Sequence, residues 1–116
     1  VFEPDALVEQ FLTTNEVPPC PQCGGRLKHA TVSFGQQLPG HVLHEAVRWS
    51  QDADLMFAIG SSLVVTPAAD LPQLAKQYGG RLVIINRDET PLDAIADAVI
   101  REPIGETLSM IDAALA

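Results

Sequence analysis

Two short apolar stretches most constrain what this chain can fold into. Residues 55–59 read LMFAI and residues 82–85 read LVII, and neither alternates apolar with polar side chains. Strands that are apolar on both faces are typical of parallel sheets, which helices cover on both sides. Between the two stretches, Thr66 is a suitable N-cap, and Pro67 suits the first turn of a helix that runs to Tyr78. The sequence therefore predicts a strand–helix–strand unit with a right-handed crossover.

The rest of the sequence extends this pattern through apolar residues at helical spacing and short apolar or β-branched runs. The remaining predicted elements are helices at 5–14, 42–49 and 104–115, a helical turn at 91–96, and strands at 30–34 and 98–100. In the second of these helices, the apolar residues spaced for burial are Val42, Leu43, Ala46, Val47 and Trp49. Helices that alternate with strands predict an α/β fold, here part of a Rossmann-like doubly wound parallel sheet.

Length, charge and hydropathy exclude several classes of protein. The chain has 116 residues, of which 47% are hydrophobic, so we expect one packed domain at most. Its net charge of −8 disfavours a broad basic surface, and we expect no nucleic-acid partner. The apolar runs are far shorter than the roughly 20 residues of a membrane span, and we expect no membrane partner. No secretory signal pattern is visible either.

The chain has two cysteines, Cys20 and Cys23, in a stretch rich in proline and glycine. Their Cys-x-x-Cys spacing lets both thiolates face one tetrahedral ion, so it predicts half of a zinc knuckle. His41 and His44 are an alternative source of the missing ligands, although their spacing departs from the usual zinc-finger pattern. A redox pair is a second alternative, but such a pair usually follows a strand and opens a helix. The cysteine usage favours a reducing compartment, and we expect the cytoplasm.

Three predicted strands end in residues that suit a ligand, because ligands of open α/β sheets bind at the carboxyl ends of the strands. These strand ends are Gly60-Ser61-Ser62, Asn86-Arg87-Asp88 and the loop Arg101–Gly105. Hydroxyl, amide and carboxylate groups of this kind bond ribose and phosphate oxygens, and the third loop would wall an adenine pocket. The alternatives are an ordinary turn with a capping serine, an Asx turn and a plain chain reversal.

No catalytic set is visible in the sequence. A catalytic histidine needs an oriented partner, and no residue near His29 marks it as a general base. The Gly-x-Gly-x-x-Gly and Walker-type phosphate loops are also absent. We therefore predict no catalytic residue in this chain, and the residues alone indicate a nucleotide-facing part of a sheet beside half of a zinc knuckle.

In their order along the chain, these pieces closely resemble the sirtuin family. The segments that carry the resemblance are Cys20–Lys28, Thr31–Pro39, Asp54–Ala69, Val83–Asp93, Ala96–Ile100 and Gly105-Glu106. Two mild departures are Gln36, where an acidic residue is common, and Ser61, where threonine is commoner. The resemblance implies NAD-dependent removal of acyl groups from protein lysines, with release of nicotinamide and O-acyl-ADP-ribose.

The resemblance also implies roles for particular residues. The resemblance implies that the NAD phosphates and ribose contact Gly60, Ser61 and Ser62. It implies that the adenosine ribose contacts Asn86, Arg87 and Asp88, and that the adenine contacts Ile104. The acyl-lysine protein or peptide substrate would pair with a strand edge and meet a valine on its other side. Those residues are Val32, Ser33, Phe34, Gly35 and Val64. Cys20 and Cys23 match the second pair of the family's four zinc thiolates.

The family's Gly-Ala-Gly loop, catalytic histidine and first cysteine pair precede the part that this chain matches. We therefore expect residues 1–28 to be a partial zinc-ribbon module and residues 29–116 to be part of the NAD-binding Rossmann domain. On this expectation the isolated chain lacks deacylase activity and holds zinc weakly or only between chains. One alternative is an inactive module that binds a nucleotide or peptide and oligomerises through an uncovered apolar sheet face. Such a chain could also be completed by an N-terminal half. Another is a zinc-ribbon interaction domain.

Overall fold

The computed structural model describes residues 5–116, in which four helices and three strands alternate along much of the chain. Residues 1–4, which belong to the predicted partial zinc-ribbon module, lie outside the described residues. The elements are α1 (Asp5–Thr14), α2 (Gly40–Asp52), β1 (Leu55–Ile59), α3 (Asp70–Gln77), β2 (Arg81–Ile85), a short 3₁₀ helix (Asp93–Ile95), β3 (Ala98–Ile100) and α4 (Ile104–Leu115). The predicted helices at 5–14 and 104–115, the predicted helical turn and three of the four predicted strands are confirmed.

The three strands form one parallel sheet in the order β1-β2-β3. Ile59 pairs with Ile85, and Ile85 pairs in turn with Ile100, so the carboxyl ends of all three strands lie at the same edge of the sheet. The prediction of an α/β fold with a parallel sheet is therefore confirmed. We call this edge the carboxyl edge, and the opposite one the amino edge.

One face of the sheet carries the hydrophobic core of the second half of the chain. Leu82 and Ile84 of β2 are completely buried there, together with Ala58 of β1 and Leu63 of the following turn. Partly buried apolar residues pack against this cluster, namely Met56, Leu92, Ala96 and Val99. Full burial of one leucine or isoleucine side chain stabilises a fold by about 2 kcal/mol, so β2 is the strand that contributes most to the core.

The opposite face of β1 is open, and the prediction that helices cover both faces of the sheet is wrong for this strand. Leu55, Phe57 and Ile59 are between 39% and 49% exposed. These three residues alternate with Met56 and Ala58, which pack in the core, so their side chains point to the other side of β1. Two residues predicted to be buried on α2, Val42 and Trp49, are also exposed.

Helix α3 begins later than the sequence predicts, and Thr66 is not its N-cap. The N–H group of Asp70 donates to Pro67 O (3.1 Å), and that of Leu71 donates to Ala68 O (3.2 Å). These bonds between residues three apart close a tight turn that precedes the helix, so Ala69 takes the N-cap position without a side-chain bond. Helix α3 packs on α2 and on the first two strands.

The end of α3 is packed closely against the chain that enters β1. Gly79, which follows the helix, has a φ of +95°, as expected for a glycine after a helix C-terminus. The N–H group of Gly80 then donates to Ala75 O (2.9 Å). A Cβ atom added to Gly80 would lie only 2.4 Å from Ala53 O, so no larger residue fits here without a shift of the main chain.

Asp97 ties the amino ends of two strands to α3. Its carboxylate accepts a bond from the N–H group of Leu82 (2.7 Å) and one from Lys76 Nζ (2.9 Å). The bond from Lys76 and the bond from Leu82 lower the pKa of Asp97 below its usual value. The amino edge of the sheet is therefore held by one aspartate and one lysine.

The predicted strand at 30–34 is not formed. Ser33 and Gln36 instead close a turn, in which the N–H group of Gln36 donates to Ser33 O (3.0 Å) and that of Ser33 donates to Gln36 Oε1 (3.0 Å). A strand is stable only when a neighbouring strand supplies its hydrogen-bond partners, and no strand of the described residues pairs with this segment.

The chain divides into two compact units, Val1–Gln37 and Leu38–Ala116. Of the first unit the structure describes residues 5–37, which hold α1 and the cysteine turn. The predicted domain boundary after Lys28 falls inside this unit and stays a prediction. None of the helices in residues 5–116 has the length and hydropathy needed to cross a membrane.

Candidate functional site

The candidate site is the carboxyl edge of the sheet, where the sequence predicts a ligand. Gly60 directly follows β1, and its N–H group donates to Ile85 O (2.9 Å). Asn86 directly follows β2, and its N–H group donates to Ile100 O (3.1 Å). Arg101 directly follows β3. The parallel ladder thus continues just past the strands and brings the three predicted strand ends to one edge.

Gly60 lies close to the start of α4. Its φ of +62° is in the left-handed region, which a side chain disfavours. A Cβ atom added here would lie 3.2 Å from Ile104 Cδ1. The structure therefore brings together Gly60 and Ile104, two residues predicted to contact NAD, and Ile104 packs where a side chain at position 60 would lie.

The turn after Gly60 is held by one hydroxyl and one buried leucine. Ser61 Oγ accepts a bond from the N–H group of Leu63 (3.3 Å), which closes a local turn and does not cap α3, because that helix begins at Asp70. Leu63 has a φ of +52°, and its buried side chain attaches the turn to the core. The sequence carries no signal for this role. Ser62 and Val64 are exposed, and their side chains are open to solvent.

The segment after β2 forms a local turn with exposed charges. Asn86 Nδ2 donates to Asp88 O (2.8 Å), so the amide is bonded within the turn, but this is not the Asx turn of the alternative, in which the side-chain oxygen accepts the bond. Arg87 Nε and Asp88 Oδ1 are 3.4 Å apart, and both side chains are largely exposed. Such exposed ion pairs contribute little to stability, so both charges remain open to a ligand.

Arg101 is a site residue whose role sequence reasoning missed, because its bonds run to main-chain atoms far away in sequence. Its Nη1 atom donates to Asn86 O and to Asp88 O, at 2.9 Å each. Its Nη2 atom donates to Asp93 Oδ2. The carboxylate of Asp93 also accepts bonds from Thr90 Oγ1 (2.7 Å) and from the Thr90 N–H group (3.1 Å). The Thr90 bonds, with a further contribution from Arg101, lower the pKa of Asp93 below its usual value.

The first turn of α4 provides polar groups beside Gly60. The N–H groups at the start of a helix lack partners within the helix, and they carry a partial positive charge. Thr107, one turn after Ile104, is buried, and its Oγ1 atom has no hydrogen-bond partner in the described part of the chain. A buried hydroxyl without a partner is uncommon, and it indicates an unfilled bonding capacity next to the carboxyl edge.

The two cysteines lie in a turn of the first unit that suits a metal ligand pair. Gly24 has a φ of +70°, and its N–H group donates to Cys20 O (2.8 Å). Main-chain N–H groups of Gln22 and Cys23 near the Cys20 sulfur lower the pKa of its thiol. Both cysteines are free thiols. N–H groups that face a sulfur favour its thiolate form, which is the form that binds metal.

The residues present do not fit a complete zinc site. A closed structural site takes four ligands, whereas Cys20 and Cys23 supply two. Across residues 5–116 no group of three or more histidine, cysteine or acidic side chains is arranged to hold a metal ion. His41 and His44, the alternative ligands, lie on α2 in the second unit. The chain by itself therefore offers half of a coordination shell.

The predicted peptide-binding residues lie in both units. The segment of Val32, Ser33, Phe34 and Gly35 belongs to the first unit and is exposed throughout, with Phe34 92% exposed. Gly35 has a φ of +84° and ends the turn that Ser33 begins. Val64 belongs to the second unit. These side chains make few contacts of their own, so they are free to meet a partner.

Comparison with known proteins gives consistent similarities. The family model described as Sir2 family matches residues 3–67. An NAD-dependent protein deacetylase of Rhodopseudomonas palustris is 53% identical over 106 residues, which are 91% of this chain and 42% of that protein. NAD-dependent protein deacetylase 1 of Bradyrhizobium diazoefficiens is 55% identical over 101 residues, 87% of this chain and 40% of that protein.

Solved structures agree with these sequence matches. A structure of a Sir2 protein with a p53 peptide and NAD⁺ aligns with a TM-score of 0.82 at 36% identity, over 99% of this chain and 48% of that one. A Sir2 protein bound to a propionylated peptide aligns with a TM-score of 0.80 at 37% identity, over 92% of this chain and 45% of that one. The chain thus spans less than half the length of the relatives that it matches.

Proposed function

The chain belongs to the Sir2 family of sirtuins, and from this membership we propose that it forms the adenosine side of the NAD site in an NAD-dependent protein deacylase. The observation that carries the proposal is the carboxyl edge, where three parallel strands end together and Gly60 lies against Ile104. The relatives are described as NAD-dependent protein deacetylases, and one similar structure contains NAD⁺. Bound NAD would supply ADP-ribose as the acceptor of the acyl group, with nicotinamide as the leaving group, which makes the reaction an acyl transfer.

Each predicted NAD-contacting residue has a chemical reason for its role. Gly60 leaves room for the ligand against the main chain, and the hydroxyls of Ser61 and Ser62 can bond phosphate and ribose oxygens. Asn86, Arg87 and Asp88 provide amide, cationic and carboxylate groups for the adenosine ribose. Ile104 offers an apolar surface to the adenine. Free N–H groups at the start of α4 fit a polar ligand with negative charge.

We propose that the acyl-lysine peptide binds along residues 32–35. Residues 33–36 form a turn, so this segment would have to open into an extended edge before a peptide could add to it as a strand. Phe34 would then cover the peptide with a side chain that is otherwise open to solvent. Val64 of the second unit is the other residue that we propose to contact the peptide. One similar structure is described as bound to a propionylated peptide and another to an acetylated peptide, which supports this class of substrate.

The 116 residues alone are proposed to be inactive, and Cys20 and Cys23 to be half of a zinc-ribbon site. Deacylation needs an oriented general base, and His29, His41 and His44 are all exposed. Zinc bound by two thiolates needs further ligands, which another segment or another copy would supply. Two free thiols also suit a reducing compartment, so a cytoplasmic location stays our prediction.

Calorimetric titration of the chain with ADP-ribose tests the proposed function. We expect binding, and we expect Gly60→Val to abolish it, because the valine would be strained at a φ of +62° and would reach Ile104. Gly40→Ala is the matched control, since a Cβ atom there meets nothing within 4 Å. A wild-type chain that does not bind ADP-ribose, or a Gly60→Val chain that binds it equally well, would contradict the proposal.

A second experiment tests whether the chain acts alone. Nicotinamide release is measured after NAD and an acetyl-lysine peptide are added to the purified chain. We expect none, and release that depends on the acetyl group would show that the isolated chain is an enzyme. Activity that returns when the preceding part of a sirtuin is supplied as a second polypeptide would support a role as one part of a deacylase.

The second candidate is an inactive module that binds nucleotide and oligomerises. The exposed apolar face of β1, formed by Leu55, Phe57 and Ile59, favours it, because large exposed apolar patches often mark interaction surfaces. This function predicts that the chain binds ADP-ribose and forms a defined oligomer. It also predicts that the chain gains no activity when the preceding part of a sirtuin is added. A chain that stays monomeric in light scattering would count against it.

A further inference from the structure

We propose that Arg101 is a positioning residue, which holds the main chain of residues 86–88 in the conformation that binds the adenosine ribose. The inference rests on the proposed function and deepens it, because it adds to the NAD-facing edge a residue that would not itself touch the ligand. The three residues it holds, Asn86, Arg87 and Asp88, carry the predicted ribose contacts.

Two main-chain carbonyl groups converge on the guanidinium of Arg101. Nη1 donates to Asn86 O and to Asp88 O, at 2.9 Å each. Carbonyl oxygens that point at one place repel each other, and a cation between them removes that repulsion. Bonds from a charged donor are also stronger than bonds between neutral groups. The curved path of residues 86–88 therefore depends on a positive donor at the position of Arg101.

The guanidinium is itself fixed from the other side. Nη2 donates to the carboxylate of Asp93, whose two oxygens also accept bonds from the main chain and side chain of the buried Thr90. The Arg101 side chain is 36% exposed and that of Asp93 is 24% exposed. Water screens this pair less than it screens a surface pair, so the side chain of Arg101 is held in one place.

The segment does little to hold its own shape. The ion pair between Arg87 and Asp88 is long and exposed, and the amide of Asn86 makes a single bond to the next-but-one residue. Without Arg101, binding of a ribose would first have to order this segment, and ordering costs affinity. Because Arg101 orders the segment before the ligand arrives, it raises the affinity for the ribose although it does not contact the ribose itself.

A lysine cannot replace this arginine. The guanidinium is a planar fork whose separate nitrogens face the two carbonyls and the carboxylate at once, whereas an ammonium is a compact point charge on a flexible stem. Arg101→Lys therefore keeps the charge and loses the geometry. Lys76 gives a matched control, because it also pairs with an aspartate, Asp97, but at the amino edge of the sheet.

The first experiment needs no ligand. Amide hydrogen exchange of Asn86, whose N–H group donates to Ile100 O, is followed by NMR in the wild-type chain, in Arg101→Lys and in Lys76→Met. We expect the Asn86 N–H group to exchange at least tenfold faster in Arg101→Lys, and Lys76→Met to leave its exchange unchanged. Asp93→Asn removes the carboxylate that holds the Arg101 guanidinium, so its exchange rate should lie between those of the other two variants. It also serves as a second variant if Arg101→Lys does not fold. Unchanged exchange in both site variants would overturn the proposal.

The second experiment links Arg101 to the ribose. ADP-ribose and an analogue whose adenosine ribose lacks its hydroxyls are titrated into the wild-type chain and Arg101→Lys. We expect about tenfold weaker ADP-ribose binding in the variant, which corresponds to about 1.4 kcal/mol, and little change for the analogue. Equal weakening of both ligands would indicate a general structural role and overturn the proposal. A wild-type chain that binds neither ligand contradicts the proposed function, and hydrogen exchange then decides alone whether Arg101 holds the segment.

Discussion

The two units of this chain bury their apolar side chains to very different extents. In the described residues of the first unit, 5–37, Pro18 is the one buried residue, and Val8, Phe11 and Leu12 of α1 are all exposed. In the second unit Leu82, Ile84 and Ile85 are completely buried. The first unit is therefore held mainly by local hydrogen bonds, and the second by packing of a sheet against its connections.

This difference predicts that substitutions act on stability mainly in the second unit. The largest effect is expected for Gly80→Ala, because the added Cβ atom would meet Ala53 O at 2.4 Å and Ala75 O at 3.1 Å. Both neighbours are main-chain atoms that cannot rotate away, so the variant should lose about 3 kcal/mol of unfolding free energy. Urea unfolding followed by circular dichroism measures this loss.

The control for this substitution is Gly105→Ala, where an added Cβ atom meets nothing within 4 Å. Alanine is also a better helix former than glycine, so this variant should be as stable as the wild type or slightly more stable. Equal unfolding curves for Gly80→Ala and the wild type would show that the approach of α3 to the start of β1 is looser than described.

A smaller effect is expected for Asp97→Asn, and it should depend on pH. The pKa of Asp97 is lowered in the folded chain by Lys76 and the N–H group of Leu82. A carboxyl group with a lowered folded pKa contributes stability above its unfolded pKa of about 3.9, and this contribution is lost as the pH falls through the folded pKa. The wild type should therefore lose stability on acidification, and Asp97→Asn should lose less between neutral pH and pH 3.

Thermal unfolding of both chains across this pH range gives the measurement. Asp93 also has a lowered pKa and remains in the variant, so some acid sensitivity should persist. If the two chains lost stability in parallel, the bonds of Asp97 at the amino edge would not contribute to folding.

The smallest effect is expected in the first unit. Phe34→Ala removes a side chain that is 92% exposed, so the unfolding free energy should change by less than about 0.5 kcal/mol. The same variant should weaken binding of an acetyl-lysine peptide if residues 32–35 form the peptide edge. Fluorescence anisotropy of a labelled peptide, with its unacetylated form as control, measures binding. A large loss of stability would mean that the two units differ less than their burial indicates.

The same contrast explains which parts of the fold the sequence predicts. The helices at 5–14 and 104–115 follow from apolar spacing within about ten residues, which is local information. The strand predicted at 30–34 is wrong, because β-branched residues make a strand only when a partner pairs with them. The start of α3 is also wrong, because Thr66 has the composition of an N-cap but the bonds of the preceding turn delay the helix to Asp70.

The candidate site divides in the same way. Gly60 and Asn86 were found because glycine and polar residues after apolar strands are visible in sequence, and the parallel sheet brings these strand ends together. Arg101 was seen only as part of a loop. Its three partners lie eight, thirteen and fifteen residues away in sequence, and two of them are main-chain atoms that any residue type provides. No pattern of residue types marks such contacts.

The central place of β2 in the sheet also determines the order in which this unit can assemble. Both ladders of the sheet run through β2, so no two strands can pair before it is in place. Pairing of two strands requires the chain between them to close into a loop. This closure costs conformational entropy before any contact between the strands stabilises the pair. The carboxyl edge, and with it the candidate site, exists only once β2 has joined both neighbours.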